Sequence, residues 1–439
     1  MGGRFFFRIR FNIAKFKEFT QVDKIIIQGG VSLSGEVHIS GSKNAALPIL
    51  VSSLLADGLN TYENVPCLRD IDSIKQLLVH LGARVEQDQN VVTIDASGLN
   101  NSVAPYDLVR KMRASILVLG PLVSRLGKAR VSLPGGCAIG ARPINIHLKG
   151  IEAMGASIEL KHGYVEATAK RLVGTDIYLD VPTVGGTENL MMAAVLAKGD
   201  TVLRNVAREP EIIALADTLN QMGADIQGAG TSVINIKGVK RLYPVSISII
   251  PDRIEAGTFM VAAALTKGDV RICRCDPDHM RAVINKLKQT GAQIDIEPSS
   301  LRVRGAEIIK SADVKTLPYP GFPTDMQAQF MVLMALGDRV SLISENIFEN
   351  RYIHVSELHR MGADIEISGN IAMVKGVKNL YGAPVMATDL RASASLILAG
   401  LIAKGETVVH RVYHLDRGYE AIEKKFALLN SKIERVSDS

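Results

Sequence analysis

The stretch AKGDTVLRNV, residues 197–206, closes a helical apolar run with a glycine turn and opens a strand. The same turn recurs as ADGLNTYENV (56–65), RLGKARVSL (125–133), TKGDVRICRC (266–275), ALGDRVSLIS (335–344) and AKGETVVHRV (403–412). Its glycines, Gly58, Gly127, Gly199, Gly268, Gly337 and Gly405, stand 69, 72, 69, 69 and 68 residues apart. A second series runs out of phase with the first: LGARV, MGASI, MGADI, TGAQI, MGADI and LNSKI, marked by Gly82, Gly155, Gly223, Gly291, Gly362 and Asn430. Each closes a helix where a left-handed residue is wanted, and asparagine is the next best residue to glycine there. Two markers at one period predict six copies of an α/β unit of about 70 residues. Six units divide most simply into two domains of three. The chain is expected to cross between them in LYPVSISIIPDR, 242–253, and the cleft between the halves is the default ligand site.

At 439 residues the chain is long enough for two cores, and 47% hydrophobic with 22% charged content is that of a globular protein. The formal charge of +6 is uneven, since residues 1–21 carry +4 and leave +2 on the body. With no tryptophan and few aromatics, this is not the basic, stacking surface of a nucleic-acid binder. No apolar run approaches the roughly 20 residues of a membrane helix. Four cysteines, Cys67, Cys137, Cys273 and Cys275, are too few for a disulfide scaffold and fit a reducing, cytoplasmic setting. Cys273 and Cys275, two apart in a strand-like run, are expected to share a face as structural thiols, because no second pair supplies zinc spacing. Residues 1–22, where phenylalanine and arginine interleave, are expected to be a disordered or non-functional extension.

The chemistry concentrates in a few turns. SLPGGCAIGARPINIH, 132–147, sets Cys137 among glycines, with Arg142 and His147 following at five-residue steps. Small and cationic neighbours are what make a thiol reactive, whereas most lone cysteines are inert buried hydrophobes. GSKNAALPI, 41–49, places Lys43 and Asn44 at a helix start. A lysine there opposes the helix dipole, a cost offset if an anion binds beside it. RKMRASI (110–116) and DLRASAS (389–395) put Arg113 and Arg391 at equivalent repeat positions in opposite halves, where they could face each other across the cleft. Their planar forks suit phosphate or carboxylate. VPTVGGTEN, 181–189, offers backbone amides at Thr183, Val184 and Gly185, and AREPEI, 207–212, reads as a solvated loop. GFPTDMQAQF, 321–330, opens a helix with Asp325, either a structural cap or a general base. IFENRYIH, 347–354, and HLDRGYE, 414–420, follow, the latter with Arg417. Together these residues suit a small polyanion carrying phosphate and carboxylate.

From about Asp23 onward, GSKNAALPIL, MRASI, LPGGCAIGARP, FPTDMQAQ, ENRYIH, ATDLRASAS and DRGYE resemble, in order and spacing, the UDP-N-acetylglucosamine 1-carboxyvinyltransferases of the enolpyruvyl transferase family. The resemblance implies an inside-out α/β barrel of two similar domains, 44–250 and 23–43 plus 251–439, with the substrate cleft between them. It implies transfer of the enolpyruvyl group of phosphoenolpyruvate to the sugar 3′-hydroxyl of UDP-N-acetylglucosamine with release of phosphate, the first committed step of peptidoglycan synthesis. No metal or organic cofactor is implied. The expected partners are those two small molecules, with no nucleic acid and no membrane span, and the chain is expected to be a monomer or weak oligomer. Matched by motif, Cys137 would be the acid that protonates C3 of phosphoenolpyruvate and the target of the epoxide fosfomycin. Asp325 would take the hydroxyl proton. Lys43 and Arg417 would act beside them, and Asn44, Arg113, Arg142 and Arg391 would join in holding phosphoenolpyruvate. Asn44, Arg113, Arg142, Pro143, Thr183, Val184, Gly185, Asp325 and Ile347 would contact the nucleotide sugar, with His147 near its uracil or diphosphate end. Ile347 stands where the family often has valine and Gly186 where it often has alanine. The alternatives are a transferase acting on shikimate 3-phosphate and a non-catalytic UDP-sugar binder. An intact acid, base and arginine set speaks against the second.

Overall fold

A computed structural model of the chain describes residues 23–133 and 144–437. Within them lie six four-stranded sheets of one design. In each, an edge strand runs parallel to the strand that follows the glycine turn, and two more strands complete the sheet antiparallel, as a hairpin in the first five and as Asp23–Gln28 with Lys432–Ser437 in the sixth. In the third repeat, Asp176–Tyr178 runs parallel to Asp200–Arg204, which pairs antiparallel with Val233–Lys237, itself paired with Asp225–Gln227. The strands alternate buried and exposed residues, as sheets with one solvated face do. The six-unit prediction is met, and the second marker series takes left-handed backbone throughout. The five glycines have φ between 90° and 108°, and Asn430 has 67°.

The inside-out arrangement follows from the helices. Lys43–Ser52, Val184–Ala194, Arg253–Leu265, Gln327–Met334 and Leu390–Ile402 are apolar nearly all round and buried on every side. Amphipathic helices such as Arg69–Leu81 and Arg281–Gln289 bury one stripe only. Helices therefore fill the middle and sheets wrap them. Two apolar cores result, one from Ala45 to Ile249, the other from Ile25–Ile39 together with Ile254–Leu429.

The chain passes between the two cores twice, side by side. Gly41 and Pro251 form an antiparallel bridge, with Ser42 N–H donating to Ile250 O at 2.7 Å and Asp252 N–H to Ser40 O at 2.9 Å. A Cβ on Gly41 would lie 1.8 Å from Asn64 O, so only glycine fits this crossing. The double crossing leaves each core with a long-range strand pair. Ser34–His38 completes the fourth sheet beside Asp269–Cys273, and Ser246–Ser248 completes the first beside Leu59–Glu63.

Two local expectations change. Arg113 opens not an α-helix but a 3₁₀ turn, Arg113–Val118, ahead of the helix Leu119–Leu126, where Pro121 sits in the first turn and needs no donor. Cys273 and Cys275 do not share a face. Arg274 between them takes φ 54° and breaks the alternation, so Cys275 is buried while Cys273 stays partly exposed.

Candidate active site

Asp325 sits in the 3₁₀ turn Thr324–Met326 that precedes the helix Gln327–Met334. It is not a cap. Its two carboxylate oxygens accept from Arg351 Nη2 at 2.7 Å and Arg391 Nη2 at 2.8 Å. Both arginines are almost fully buried, while a quarter of the Asp325 side chain remains open. Burial alone would raise the Asp325 carboxyl, but Arg391 and Arg351, with Lys43 nearby, overcome it and hold the group well below the usual carboxylate range. Arg391 is aimed by its own helix. Asp389 caps that helix by accepting from Arg391 N–H at 2.9 Å and Ala392 N–H at 3.1 Å. The Arg391 guanidinium lies 5.5 Å from the Tyr419 ring centroid, and the Tyr419 hydroxyl is fixed by Thr258 and Gln329.

A second carboxylate organises the other cations. Asp70, in the first turn of helix Arg69–Leu81, accepts from Lys43 Nζ at 3.3 Å and Arg417 Nε at 2.9 Å. Lys43 is the first residue of its helix, capped by Ser42, and only 12% of its side chain is exposed. The reading of it as a solvated lysine is therefore excluded. Burial lowers its ammonium pKa, Asp70 opposes that, and Arg391 and Arg417 push it down further. The loop bearing Arg417 reaches across to the other core at further points: Asp416 faces Arg69 at 3.6 Å, and Glu420 accepts from Cys67 N–H at 3.1 Å.

Lys43, Asp325, Arg391 and Arg417 thus come together. Arg113 acts on His147. His147 is buried, and burial together with Arg113 lowers its pKa to about 4, so the ring is neutral at pH 7. Its tautomer follows from Asn189. That amide accepts from Gly120 N–H through Oδ1 at 2.7 Å and donates through Nδ2 to Ile116 O at 3.1 Å. The same Nδ2 lies 2.9 Å from His147 Nδ1, which must therefore accept. The imidazole proton is on Nε2, the nitrogen 3.7 Å from where a Cβ of Gly185 would stand. Thr183 caps the helix Val184–Ala194 by accepting from Gly186 N–H at 3.4 Å. A Cβ at Gly186 would meet the Thr183 methyl at 2.4 Å, so alanine there would require Thr183 to turn.

Ile347 lies on the loop after strand Val340–Ser344, a third of it exposed, and Asn44 follows Lys43 in its helix. Cys137, Arg142 and Pro143 lie outside the described residues, as does the segment 1–22. Among the described residues no cluster of metal-binding side chains occurs and no helix is long and apolar enough to cross a membrane. The 207–212 stretch is not a solvated loop. Glu211 is buried and accepts from Arg253 Nε at 3.0 Å, and Glu209 reaches Tyr319 N–H at 3.5 Å, both across the junction of the two cores. Glu188 lies beside them. Burial first, then Glu211 and Glu209, raises its carboxyl well above the ordinary value. Sequence reasoning did not single out Asp70, Arg351, Asn189 or Glu188 for a role. Arg351 stood inside the quoted ENRYIH motif, and Asp70 had only its place in a helix first turn as a signal.

Comparison with known proteins adds to this geometry. Residues 27–426 match the EPSP synthase (3-phosphoshikimate 1-carboxyvinyltransferase) family. The chain is 66% identical over 416 residues to the UDP-N-acetylglucosamine 1-carboxyvinyltransferase of Desulfosudis oleivorans, covering 95% of this chain and all of that one. It is 62% identical to the protein of the same name from Geobacter metallireducens, with 95% and 100% covered. Among solved structures it is similar to the enolpyruvyl transferase NikO from Streptomyces tendae, with TM-score 0.85, 25% identity, and 95% and 100% of the chains covered. An EPSP synthase from Acinetobacter baumannii shares the fold at TM-score 0.74 and 19% identity, with 94% and 100% covered.

Proposed function

Because this chain belongs to the EPSP synthase family of carboxyvinyltransferases, we propose that it transfers the enolpyruvyl group of phosphoenolpyruvate to the 3′-hydroxyl of UDP-N-acetylglucosamine. The choice of acceptor rests on one observation: full-length identity of 59–66% to relatives that bear that sugar nucleotide in their names. Shikimate 3-phosphate is the less favoured acceptor, since two EPSP synthase structures from Acinetobacter baumannii share only 19–20% identity with this chain. The product would feed peptidoglycan synthesis.

The proposed chemistry uses the two carboxylate centres differently. Lys43 and Arg417, with Arg142, hold the phosphate and carboxylate of phosphoenolpyruvate, and the incoming anion competes with Asp70 for the first two. Arg113 and Arg391 complete the cationic lining. The 3′-oxygen attacks C2 as the Cys137 thiol gives its proton to C3, and Asp325 receives the hydroxyl proton. The tetrahedral adduct then expels phosphate from C2 and loses a proton from C3 to leave the vinyl ether. Asp325 is ionised and therefore ready, yet weakly basic between its arginines. That suffices, because a hydroxyl becomes strongly acidic as its oxygen bonds to C2, so the proton moves late. On the sugar side, Asn44, Pro143, Thr183, Val184, Gly185 and Ile347 contact the nucleotide sugar, with the His147 Nε2–H as a neutral donor. The two domains, 44–250 and 23–43 plus 251–439, close on the pair of substrates.

Phosphate release from phosphoenolpyruvate, with and without UDP-N-acetylglucosamine, tests this. Release is expected to require the sugar nucleotide and to fall at least about tenfold in Cys137→Ala, a floor below the roughly 10²–10⁴-fold that a general acid typically contributes. Sugar-dependent release that Cys137→Ala leaves intact would remove the thiol from the acid role. No release from the wild type, with shikimate 3-phosphate also tried, would leave the binding reading.

A further inference from the structure

Glu345 follows strand Val340–Ser344 and is 3% exposed, and its carboxylate bonds two segments that bear on the site. Its Oε1 accepts from Thr316 Oγ1 at 2.9 Å, Ile347 N–H at 2.8 Å and Phe348 N–H at 3.2 Å. Its Oε2 accepts from Thr324 Oγ1 at 2.9 Å. Thr324 precedes Asp325 in the same short turn. Ile347 and Phe348 open the loop that ends in Arg351 and Tyr352. The far end of that loop is pinned too, since the Tyr352 hydroxyl donates to Ile343 O at 2.7 Å. A buried carboxylate with four donors is costly to place unless those donors must be held.

We propose, on the reading of the reaction given above, that Glu345 is a positioning residue for the transfer step: one carboxylate ties the turn that carries Asp325 to the loop that carries Ile347 and Arg351. Asp325 takes the proton, Arg351 grips Asp325, and Ile347 borders the acceptor sugar. Glu345 touches none of the reacting atoms. It sets the distance between the proton acceptor and the loop along which the hydroxyl arrives. Misplacing such groups by about 1 Å is enough to lose orders of magnitude in rate.

The test uses the full chain and steady-state phosphate release, with melting temperature as a check on folding. Thr324→Val keeps the side-chain shape and removes the hydroxyl that reaches Glu345, whereas Thr324→Ser keeps the hydroxyl. In Thr324→Val, kcat is expected to fall about tenfold while the KM for phosphoenolpyruvate stays within about twofold, because Lys43 and Arg417 are untouched. Thr324→Ser is expected to recover to within about threefold of wild type. Glu345→Gln is expected to raise the KM for UDP-N-acetylglucosamine severalfold through the Ile347–Phe348 amides. Asp325→Asn, measured alongside, separates this proposal from the reading beneath it. If Asp325→Asn is inactive while Thr324→Val and Glu345→Gln behave as wild type, the positioning role is overturned and the assignment of Asp325 stands. If Asp325→Asn is fully active, the assignment itself fails. Lowered melting temperature with unchanged kcat and KM would mean that Glu345 only supports folding, and would also overturn the proposal.

Discussion

Asp325 is gripped by two guanidinium groups, and that fixes how it responds to pH. Its carboxyl is held far below the ordinary range, so the acid limb of wild-type kcat/KM does not come from this group at any pH above about 4. In Arg351→Gln one cation is lost and the ionised form is less favoured, so the Asp325 pKa rises. Activity in the variant is expected to fall away at higher pH than in wild type as the solution is acidified. A pH–rate profile of both proteins checks this, and an unmoved limb would show that Arg391 alone sets the group. Asp325 was legible in the sequence because it stands in a specific motif with proline before it. Arg351 and Asp70 were not. Each is one of many charged residues, and each gains its role from a neighbour brought close only by folding: Asp70 from Arg417, 347 positions away, and Arg351 from the distant turn at Asp325.

At the scale of elements, the helix Val184–Ala194 is keyed to its neighbour through one amide. Asn189 satisfies Gly120 N–H and Ile116 O and sets the His147 tautomer at the same time. A Cβ at Gly120 would stand 2.4 Å from Asn189 O, so the two helices touch backbone to backbone. Asn189→Ala takes the side-chain acceptor from buried Gly120 N–H and leaves Ile116 O with Leu119 N–H alone, and a loss of about 1–3 kcal/mol in urea denaturation is expected. A loss below about 0.5 kcal/mol would place the keying elsewhere. The variant also frees His147 Nδ1 to carry the proton, which nitrogen chemical shifts of the ring would report. Periodicity made the helices and glycine caps legible, including the asparagine that replaces glycine in the sixth unit. It could not show that the helices at Arg113 and Asp325 begin as 3₁₀ turns. Nor could it show that residues 207–212 are buried, since charge in a loop looks the same whether it faces water or another domain.

The two cores meet over a cluster of like charges. Glu188, Glu209 and Glu211 lie together, and Arg253 reaches Glu211 from the opposite half. Burial, then Glu211 and Glu209, raise the Glu188 carboxyl well above the ordinary 4.5 in the fold. Above that value the unfolded chain releases the proton while the native chain keeps it. The native state then binds more protons, and stability is lost as pH rises toward the folded pKa. Glu188→Gln removes this dependence. Its melting temperature relative to wild type is expected to climb from pH 5 to pH 8, and a constant difference would mean that Glu188 is ionised in the native state. The sixfold build of the whole molecule was plain in the sequence from two marker series of one period. The membership of Ser34–His38 in the second core was not, because a five-residue strand carries no sign of a partner more than 230 residues on.

The sixth sheet has a consequence for how the chain is born. Its strand Asp23–Gln28 lies between Glu406–His410 and Lys432–Ser437, with Asp23 opposite Ser437. On a ribosome adding about 5–20 residues per second, that first strand waits on the order of 20–80 s for its last partner. Ser34–His38 must wait likewise for Asp269–Cys273. The core from Ala45 to Ile249, whose strand partners all lie within that span, can close in the meantime. Synthesis therefore runs from the inside of the sequence outward. The strand Asp23–Gln28 is among the last to find its place, and until then it is held in the nascent chain as an unpaired hydrophobic edge.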